Sequence, residues 1–274
     1  MTGELPKLIT FDGEARSGKG TIVQATKDHL RDECDYKVML IDAGQVFRVL
    51  VVAATQAGID LNDSSALDSF LADPIEIEKC VQLVKSVYHM EKDERDALLY
   101  TNEVGVNSAV VGARPLSQDF KDELLKKWLR DARIEGYEVV LLDGRTLEQA
   151  GKRLEAEKLC DFVLGLYFIC DPIVGARRTL GFANRPYEEL DESERQSVDQ
   201  LVVQINERNR KDKERVTQPI APPAGAKTYV LPDSPIVDVT DKKRQMVIFD
   251  TSSELSKEIM PRSVALLAAR ILTK

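Results

Sequence analysis

The fold of this chain is decided by the stretch Gly13-Glu14-Ala15-Arg16-Ser17-Gly18-Lys19-Gly20-Thr21. Two of its glycines stand five residues apart and are followed by lysine, glycine and threonine, which is the spacing of a phosphate-binding loop. Backbone N–H groups can point at phosphate oxygens only where the chain turns tightly, and glycine permits such a turn because it has no Cβ atom. The stretch therefore predicts a site for a phosphorylated ligand, with an incidental glycine-rich turn as the alternative.

The residues on either side of this loop give the context that the motif requires. Before it, Leu8–Phe11 is a short apolar run that is typical of a buried parallel strand, and after it Thr21–Arg31 predicts a helix. Within the loop, Lys19 would place a positive charge on the outer phosphates of a nucleotide. Thr21 would offer its hydroxyl to a Mg²⁺ ion bound to those phosphates.

Length and charge limit the classes of function. The chain has 274 residues, of which 43% are hydrophobic, enough for one large or two small domains with a substantial core. Its formal net charge of −8 argues against a nucleic-acid-binding surface, because phosphate backbones are bound by basic patches. An anionic substrate would therefore have to meet a local cluster of arginines.

The cysteines and the apolar runs indicate a cytoplasmic protein without a membrane partner. No run approaches the roughly 18 apolar residues that a membrane span requires, and the first residues lack the pattern of a signal peptide. The cysteines have no paired spacing and no histidine nearby, so we expect buried free thiols instead of a zinc site or disulfides. They are Cys34, Cys80, Cys160 and Cys170.

Four more buried strands and their following helices can be predicted from apolar runs. The second strand ends at Asp42, the third at Asp143, and the fourth leads into a helix that begins at Asp171-Pro172. The predicted strands are Val38–Ile41, Glu138–Leu142, Phe162–Ile169 and Gln245–Phe249. The predicted helices are Val46–Ala57, Leu61–Leu71, Pro74–Met90, Pro115–Glu135, Ser193–Arg215 and Leu255–Leu272. We expect a solvated turn at Glu91–Arg95 and a loop or hairpin at Thr228–Val239.

Charged residues follow several of these strands. An acid at the end of a strand beside a phosphate loop is where nucleotide enzymes hold Mg²⁺, usually through water, and Asp143 has that position. Arg145 would reach the same crevice. Arg48 is placed to return to the mouth of the site, although a solvated surface arginine is the alternative. The charge run Glu207–Arg215 is either a solvated helix face or part of a mobile lid.

Taken in order, these motifs resemble those of the cytidylate kinases. The resemblance covers about two thirds of the chain and leaves the segments 58–102 and 225–243 unmatched. The matching motifs are Ile9-Thr10-Phe11-Asp12-Gly13 with Ser17–Thr21, Asp42-Ala43-Gly44-Gln45-Val46-Phe47-Arg48, Glu103-Val104-Gly105, Asp143-Gly144-Arg145, Ala176-Arg177-Arg178, Glu207-Arg208 with Asp212 and Arg215, and Phe249-Asp250-Thr251-Ser252.

The resemblance implies an α/β fold of the P-loop NTPase type, in which a five-stranded parallel sheet is wrapped by helices. It implies a single kinase domain over 1–274, with a substrate-binding insertion at 58–102, here helical in pattern, and a lid at about 180–200. It also implies ATP and Mg²⁺ as co-substrates and a small phosphorylated acceptor as the other partner. We expect a monomer or a small homo-oligomer that binds no nucleic acid.

The resemblance also assigns roles residue by residue. It implies ATP binding by Gly13, Ala15, Arg16, Ser17, Gly18, Lys19, Gly20, Thr21, Arg177 and Arg178, and metal binding by Thr21 and Asp143. It implies acceptor binding by Asp42, Ala43, Arg48, Arg145, Thr146 and Arg208, and catalytic roles for Lys19, Arg145, Asp212 and Arg215. These roles agree with the chemistry, because arginine is suited to neutralising the charge of a transferred phosphoryl group.

The chain departs from the family pattern mainly where the base would be read. Ala43 replaces a serine and Thr146 replaces an acid, and both family side chains bind the cytosine. The arginine that usually follows the proline of the long helix is missing after Pro115. In the loop, Glu14 and Arg16 replace a proline and a glycine.

These departures predict that the residues that bind phosphate are kept, whereas the residues that bind the base are replaced. The sequence therefore indicates an ATP-dependent phosphotransferase that acts on a nucleoside monophosphate or a similar small acceptor, without a strong preference for CMP. The alternative is a nucleotide-binding protein with little catalysis, in which ATP sets the conformation for a partner.

Overall fold

A computed structural model describes residues 4–215, 219–231, 245–253 and 259–272. The chain divides into two compact units. The first unit comprises residues 1–41 and 129–274, and the second comprises residues 42–128. The phosphate-loop stretch lies in the first unit, and the predicted insertion at 58–102 lies in the second.

The first unit is built on a sheet in which the strand before the loop is central. Its described strands are β1 Lys7–Gly13, β2 Val38–Asp42, β3 Val139–Asp143, β4 Asp161–Ile169, β5 Lys227–Val230 and β6 Gln245–Asp250, in the order β2-β3-β1-β4-β6-β5. The pairs β1–β3, β1–β4, β4–β6 and β5–β6 are parallel. Phe11 is in register with Asp143, so the loop after β1 and the acid that ends β3 come to the same edge of the sheet.

Helices cover both faces of this sheet. Alternate residues such as Ile9 and Phe11 of β1 belong to one buried cluster with residues of α1 Lys19–Asp32 and α11 Ile259–Leu272, as the two-residue period of a strand requires. Helix α8 Leu147–Ala156 contacts β1 and β4 and contains Gly151, where a Cβ atom would come within 2.8 Å of the Phe162 ring. The remaining described helices of the unit are α9 Pro172–Thr179, a 3-10 turn at Tyr187–Glu189, and α10 Glu192–Lys213.

The second unit is helical and packs around α2. Its helices are α2 Ala43–Gln56, α3 Ser64–Ala72, α4 Pro74–Tyr88, α5 Lys92–Leu99, α6 Asn102–Gly112 and α7 Pro115–Ile134, the last of which runs beyond the end of the unit. Helix α2 is apolar around most of its circumference, and it contacts α4, α5 and α6, which together bury residues such as Val49 and Leu50. None of the helices in the described parts of the chain combines the length and apolar character needed to cross a membrane.

The expectation of five strands was wrong, because the described sheet has six. The extra strand, β5, overlaps the start of the segment expected to form a loop or hairpin, and it pairs with β6 in parallel, whereas a hairpin would be antiparallel. Residues 232–239 of that segment are outside the described residues. The strand was missed because an edge strand with mostly exposed residues carries a weak apolar signal.

The expectation of a turn at Glu91–Arg95 was also wrong. Helix α5 begins at Lys92, has Asp93 and Glu94 in its first turn, where the helix dipole favours negative charge, and buries Leu99 at its end. Helices α6 and α8 were not predicted. The other predicted helices and strands are present in the described residues, with ends that differ by a few residues; residues 255–258 of the predicted last helix are outside the described residues.

The cysteines are free, as predicted. Cys80, Cys160 and Cys170 are buried, whereas Cys34 is only partly buried. Burial raises the pKa of Cys80 to about 11 and that of Cys160 to about 12, so both thiols stay protonated and unreactive at neutral pH.

The close approach of β1 to β4 at Gly13 generates a prediction about stability. Gly13 has φ +150°, and a Cβ atom there would lie against the carbonyl oxygen and 2.7 Å from the amide nitrogen of Phe168. We expect Gly13→Ala to lower the free energy of unfolding by about 2 to 4 kcal/mol, because the backbone itself would have to move. Urea unfolding measures this effect.

Gly20→Ala is the matched control for this prediction. Gly20 lies in α1, and nothing is within 4 Å of the Cβ that the substitution would add. It should be neutral or stabilising by about 0.5 to 1 kcal/mol, because alanine favours a helix. Equal stability of Gly13→Ala and the parent protein would contradict the proposed constraint.

Candidate active site

The phosphate-loop stretch connects β1 directly to the first turn of α1. Gly18 has φ +81° and precedes α1, and its carbonyl accepts hydrogen bonds from Thr21 N at 3.1 Å and Ile22 N at 3.2 Å. At the other end, Glu14 N donates to Phe168 O at 2.8 Å. Strand, loop and helix therefore follow one another as predicted, and the loop lies at a helix N-terminus, where backbone dipoles favour an anion.

Three other elements hold the loop in place. The Ala15 amide donates to Asn209 Oδ1 of α10 at 2.9 Å, in a buried hydrogen bond. After β6, the Thr251 hydroxyl lies 2.8 Å from Ser17 O and 3.0 Å from Ile169 O. On α9, a Cβ atom at Gly175 would come within 3.0 Å of Arg16 O, so the helix backbone packs directly on the loop. The loop is thus a braced structure.

The loop lysine is paired with the acid at the end of β3. Lys19 Nζ forms a hydrogen-bonded ion pair with Asp143 Oδ1, and 17% of each side chain is exposed. This contact brings together two residues predicted to act at the site. It places a positive and a negative group beside the loop, where they can meet phosphate oxygens and a cation respectively.

A second charged cluster joins the residue after β3 to the end of α10. Asp212 is 4% exposed and pairs with Arg145 and, at 2.6 Å, with Arg215. Burial, followed by the positive charges of Arg208 and Arg215, lowers the pKa of Arg145 to about 9, so this guanidinium remains charged at neutral pH. The structure therefore brings together Arg145, Asp212 and Arg215, three of the four residues to which the family resemblance assigned catalytic roles.

Asp12, which was not assigned a role, connects β1 to the start of α8. Its carboxylate is buried and accepts hydrogen bonds from Gly13 N and Leu147 N, both at 2.8 Å. Burial raises the pKa of Asp12, while these hydrogen bonds and the charges of Lys19 and Arg145 oppose the shift. The carboxylate fixes the end of β1 and caps the N-terminus of α8.

The second unit contains its own polar cluster around Tyr100. Asp42 caps α2 by accepting from Gly44 N and Gln45 N, and the Tyr100 hydroxyl donates to its other oxygen at 3.1 Å. The guanidinium of Arg48 lies over the Tyr100 ring, 4.6 Å from its centroid, and donates to Leu99 O at 2.8 Å. Asp42 and Arg48 are thus brought together through a tyrosine that the sequence interpretation did not single out.

Several predicted residues are used elsewhere or are buried in this structure. Arg178 donates to the backbone oxygens of Thr251, at 2.6 Å, and Ser253. Arg177 is 6% exposed, and Ala43 is 3% exposed at the start of α2. The roles of the two arginines in binding ATP, and that of Ala43 in binding the acceptor, stay predictions.

The oxygen ligands predicted for Mg²⁺ fit that ion in chemical type. Thr21 is exposed in the first turn of α1, and Asp143 presents a carboxylate at the edge of the sheet. Across the described ranges, no group of three or more His, Cys, Asp or Glu side chains could hold a metal ion. A Mg²⁺ ion at Thr21 and Asp143 would therefore take its remaining ligands from nucleotide oxygens and water, as Mg²⁺ usually does.

The chain is similar to curated cytidylate kinases over most of its length. It is 25% identical to the enzyme of Bradyrhizobium diazoefficiens over 228 residues, which cover 83% of this chain and 88% of the relative. It is 23% identical to that of Mycoplasmopsis agalactiae over 253 residues, with 92% and 97% covered, and 26% identical to that of Streptococcus mutans over 248 residues, with 88% and 96% covered. These relatives, at 23–26% identity over most of the chain, support a divergent relationship to the cytidylate kinases. No protein-family model matches it.

These similarities confirm the resemblance that was read from the order of the motifs. The structure also shows supporting residues that the motif comparison missed. Asn209, which was not singled out, is buried with Asp212 and Ile205 on one face of α10, at a helical spacing that a periodicity count along this helix would have indicated. Tyr100, in contrast, lies in the unmatched segment 58–102, and its position depends on how α5 and α6 pack on α2.

The buried bond between Ala15 and Asn209 generates a prediction about the loop. We expect Asn209→Ala to lower the free energy of unfolding by about 1 to 3 kcal/mol, because the buried Ala15 amide would lose its acceptor. Gln204→Ala, at an exposed position of the same helix, is the control and should change stability by less than about 0.5 kcal/mol. Thermal and urea unfolding of both variants measure the difference, and equal stability of the two would show that the bond does not brace the loop.

Proposed function

We propose that this chain is an ATP-dependent phosphotransferase that transfers the γ-phosphoryl group of ATP to a nucleoside monophosphate or a similar small acceptor. The observation that carries the proposal is the braced phosphate loop with Lys19 beside Asp143. In the reaction, the bond between the γ-phosphorus and the bridging oxygen of ATP breaks as an acceptor oxygen bonds to that phosphorus. ADP leaves with the electron pair, and an acceptor phosphate needs no base because it is already a nucleophile near neutral pH.

The arginines of the first unit would stabilise this transfer by electrostatics. Phosphoryl transfer depends mainly on positioning and on neutralising the equatorial oxygens, and arginine presents a permanent charge in a planar fork. Arg145, Arg208 and Arg215 supply such charges. Asp212, buried between two of them, fixes their orientation without cancelling the net positive charge of the group.

Mg²⁺ is the proposed cofactor, and Thr21 and Asp143 are the residues that would hold it. When bound, the ion would supply positive charge that neutralises the charge developing on the phosphate oxygens. The protein's part is to present a hydroxyl and a carboxylate at the edge of the sheet and to keep Lys19 in place beside them. This assignment is supported by the family and by the oxygen chemistry of the two side chains.

The family resemblance supports acceptor-binding roles for Asp42 and Arg48, the latter supplying a positive charge for the acceptor phosphate. It supports the same role for Arg208 and Thr146. These residues do not predict which base is bound, because Ala43 and Thr146 occupy the two positions at which the family binds cytosine.

The segment 181–199 is the proposed lid, within the range of about 180–200 that the resemblance assigned. Leu190 and Val198 share a buried cluster with Ala15 of the phosphate loop and with Ala176 and Ile205. A movement of this segment would therefore disturb the apolar cluster that includes Ala15 of the loop, as is expected for a lid that excludes water during transfer.

The function is tested by measuring ATP consumption with a panel of acceptors. Turnover that requires CMP, UMP, AMP, GMP or a comparable small phosphorylated acceptor would support the proposal. Lys19→Ala should reduce this turnover by at least about 100-fold, because the positive charge on the outer phosphates is lost.

Lys152→Ala, which removes a half-exposed lysine of α8 paired with Glu148, is the control and should keep normal turnover. Melting curves without ligand show whether both variants fold. Nucleotide binding without turnover on any acceptor would favour a nucleotide-binding module instead. Normal turnover of a folded Lys19→Ala variant would contradict the loop's catalytic role.

Base preference is predicted to be weak in the native chain and to increase when the family residues are restored. Thr146 has φ +60°, an unfavourable conformation for a β-branched side chain that aspartate tolerates better. Thr146→Asp and Ala43→Ser, made separately, should each increase the kcat/KM for CMP relative to UMP, AMP and GMP by up to about tenfold, the value of one added hydrogen bond. A strong preference of the native chain for CMP would show that other residues read the base.

A further inference from the structure

Arg16 occupies a strained position in the phosphate loop. Its φ is +60°, in the left-handed region that costs residues other than glycine roughly 1 to 2 kcal/mol. Glycine is usual at this position among the cytidylate kinases, and it would relieve that cost. A bulky side chain at a strained position of a functional loop points to a role for the side chain itself.

The backbone of Arg16 is fixed by rigid neighbours on both sides. A Cβ atom at Gly175 of α9 would lie 3.0 Å from Arg16 O and 3.4 Å from Arg16 Cβ, so the helix packs against this residue. The flanking residues Ala15 and Ser17 are bonded to Asn209 and Thr251. The root of the Arg16 side chain is therefore placed firmly, although the side chain is exposed.

The guanidinium of Arg16 differs from the neighbouring cations Lys19 and Arg145 in its partners. Among the residues that the structure describes, its guanidinium takes part in no hydrogen bond or ion pair. Lys19 is paired with Asp143, and Arg145 is paired with Asp212. Arg178, to which the family resemblance assigns ATP binding, is bound to backbone carbonyls after β6.

We propose that Arg16 is a further catalytic residue of the phosphoryl transfer described above, on which this proposal rests. Its guanidinium donates to the oxygens of the γ-phosphoryl group as the bond to ADP breaks and the bond to the acceptor oxygen forms. It keeps its proton throughout, so it adds charge neutralisation without acting as an acid. The loop thus carries its own arginine for the transferred group.

The test compares Arg16→Gly and Arg16→Lys with the native protein under saturating ATP and acceptor. Arg16→Gly removes the side chain and the backbone strain together, so it should fold and melt no lower than the native protein. We expect its kcat to fall by roughly 100- to 1000-fold while the Kd for ADP changes by less than about threefold. Arg16→Lys should recover only part of the kcat, because it restores the charge without the fork.

The control variant is Arg31→Ala, which removes an exposed arginine near the end of α1 that is paired with Asp28 and Asp32 and should keep native kcat and KM. A second measurement is the binding of ADP with aluminium fluoride and acceptor, which mimics the transferring group. The native protein should bind ADP more tightly when aluminium fluoride is present, and Arg16→Gly should lose that gain.

The outcomes separate this proposal from the proposed function. If the native chain transfers phosphate to no acceptor, the phosphotransferase function fails and the role of Arg16 fails with it. If the native chain is active and Arg16→Gly keeps its kcat, only the role of Arg16 is overturned. A lower kcat with unchanged aluminium fluoride binding, or an effect confined to the KM for ATP, also overturns a direct role in the transfer.

Discussion

The structure depends on the tight exit of the chain from β1 at Gly13. At this point β1 runs so close to β4 that a side chain would overlap the backbone of Phe168. After this point the chain turns into the phosphate loop, and the backbone amides of the loop lie at the N-terminus of α1. Because β1 is central in the sheet, the strand-end acid of β3 and the residues after β6 reach the same loop. The residues proposed to act on phosphate therefore lie where the parallel strands end.

The cations around this loop are paired with a smaller number of acids. Lys19 has Asp143 as a partner, and Asp212 lies between Arg145 and Arg215, so the acids hold the cations in position. More positive than negative groups remain, which gives a local attraction for a polyanion in a chain whose net charge is −8. This local excess explains how an acidic protein can offer a site to a phosphorylated ligand.

The departures from the family have structural counterparts in both units. Glu14 forms an ion pair with Lys213 at 3.0 Å and lines a crevice with Arg145 and Asp212, so it ties the loop to α10. In the second unit, Tyr100 of the unmatched segment contacts both Asp42 and Arg48. Residues that depart from the family motifs therefore lie beside residues that match them.

The sequence by itself determined the phosphate loop, the buried strands around it and the family resemblance. These features depend on the local spacing of motifs and on apolar runs, which are typical of strands buried on both faces of a sheet. Only the tertiary structure decided that Lys227–Val230 joins the sheet, since an exposed edge strand is defined by its partner β6 and not by its own residues. It also decided that Asn209 binds Ala15 and that Asp12 binds Leu147, contacts between residues more than 130 positions apart. Such bonds depend on how helices pack against the sheet, and no local pattern specifies that packing.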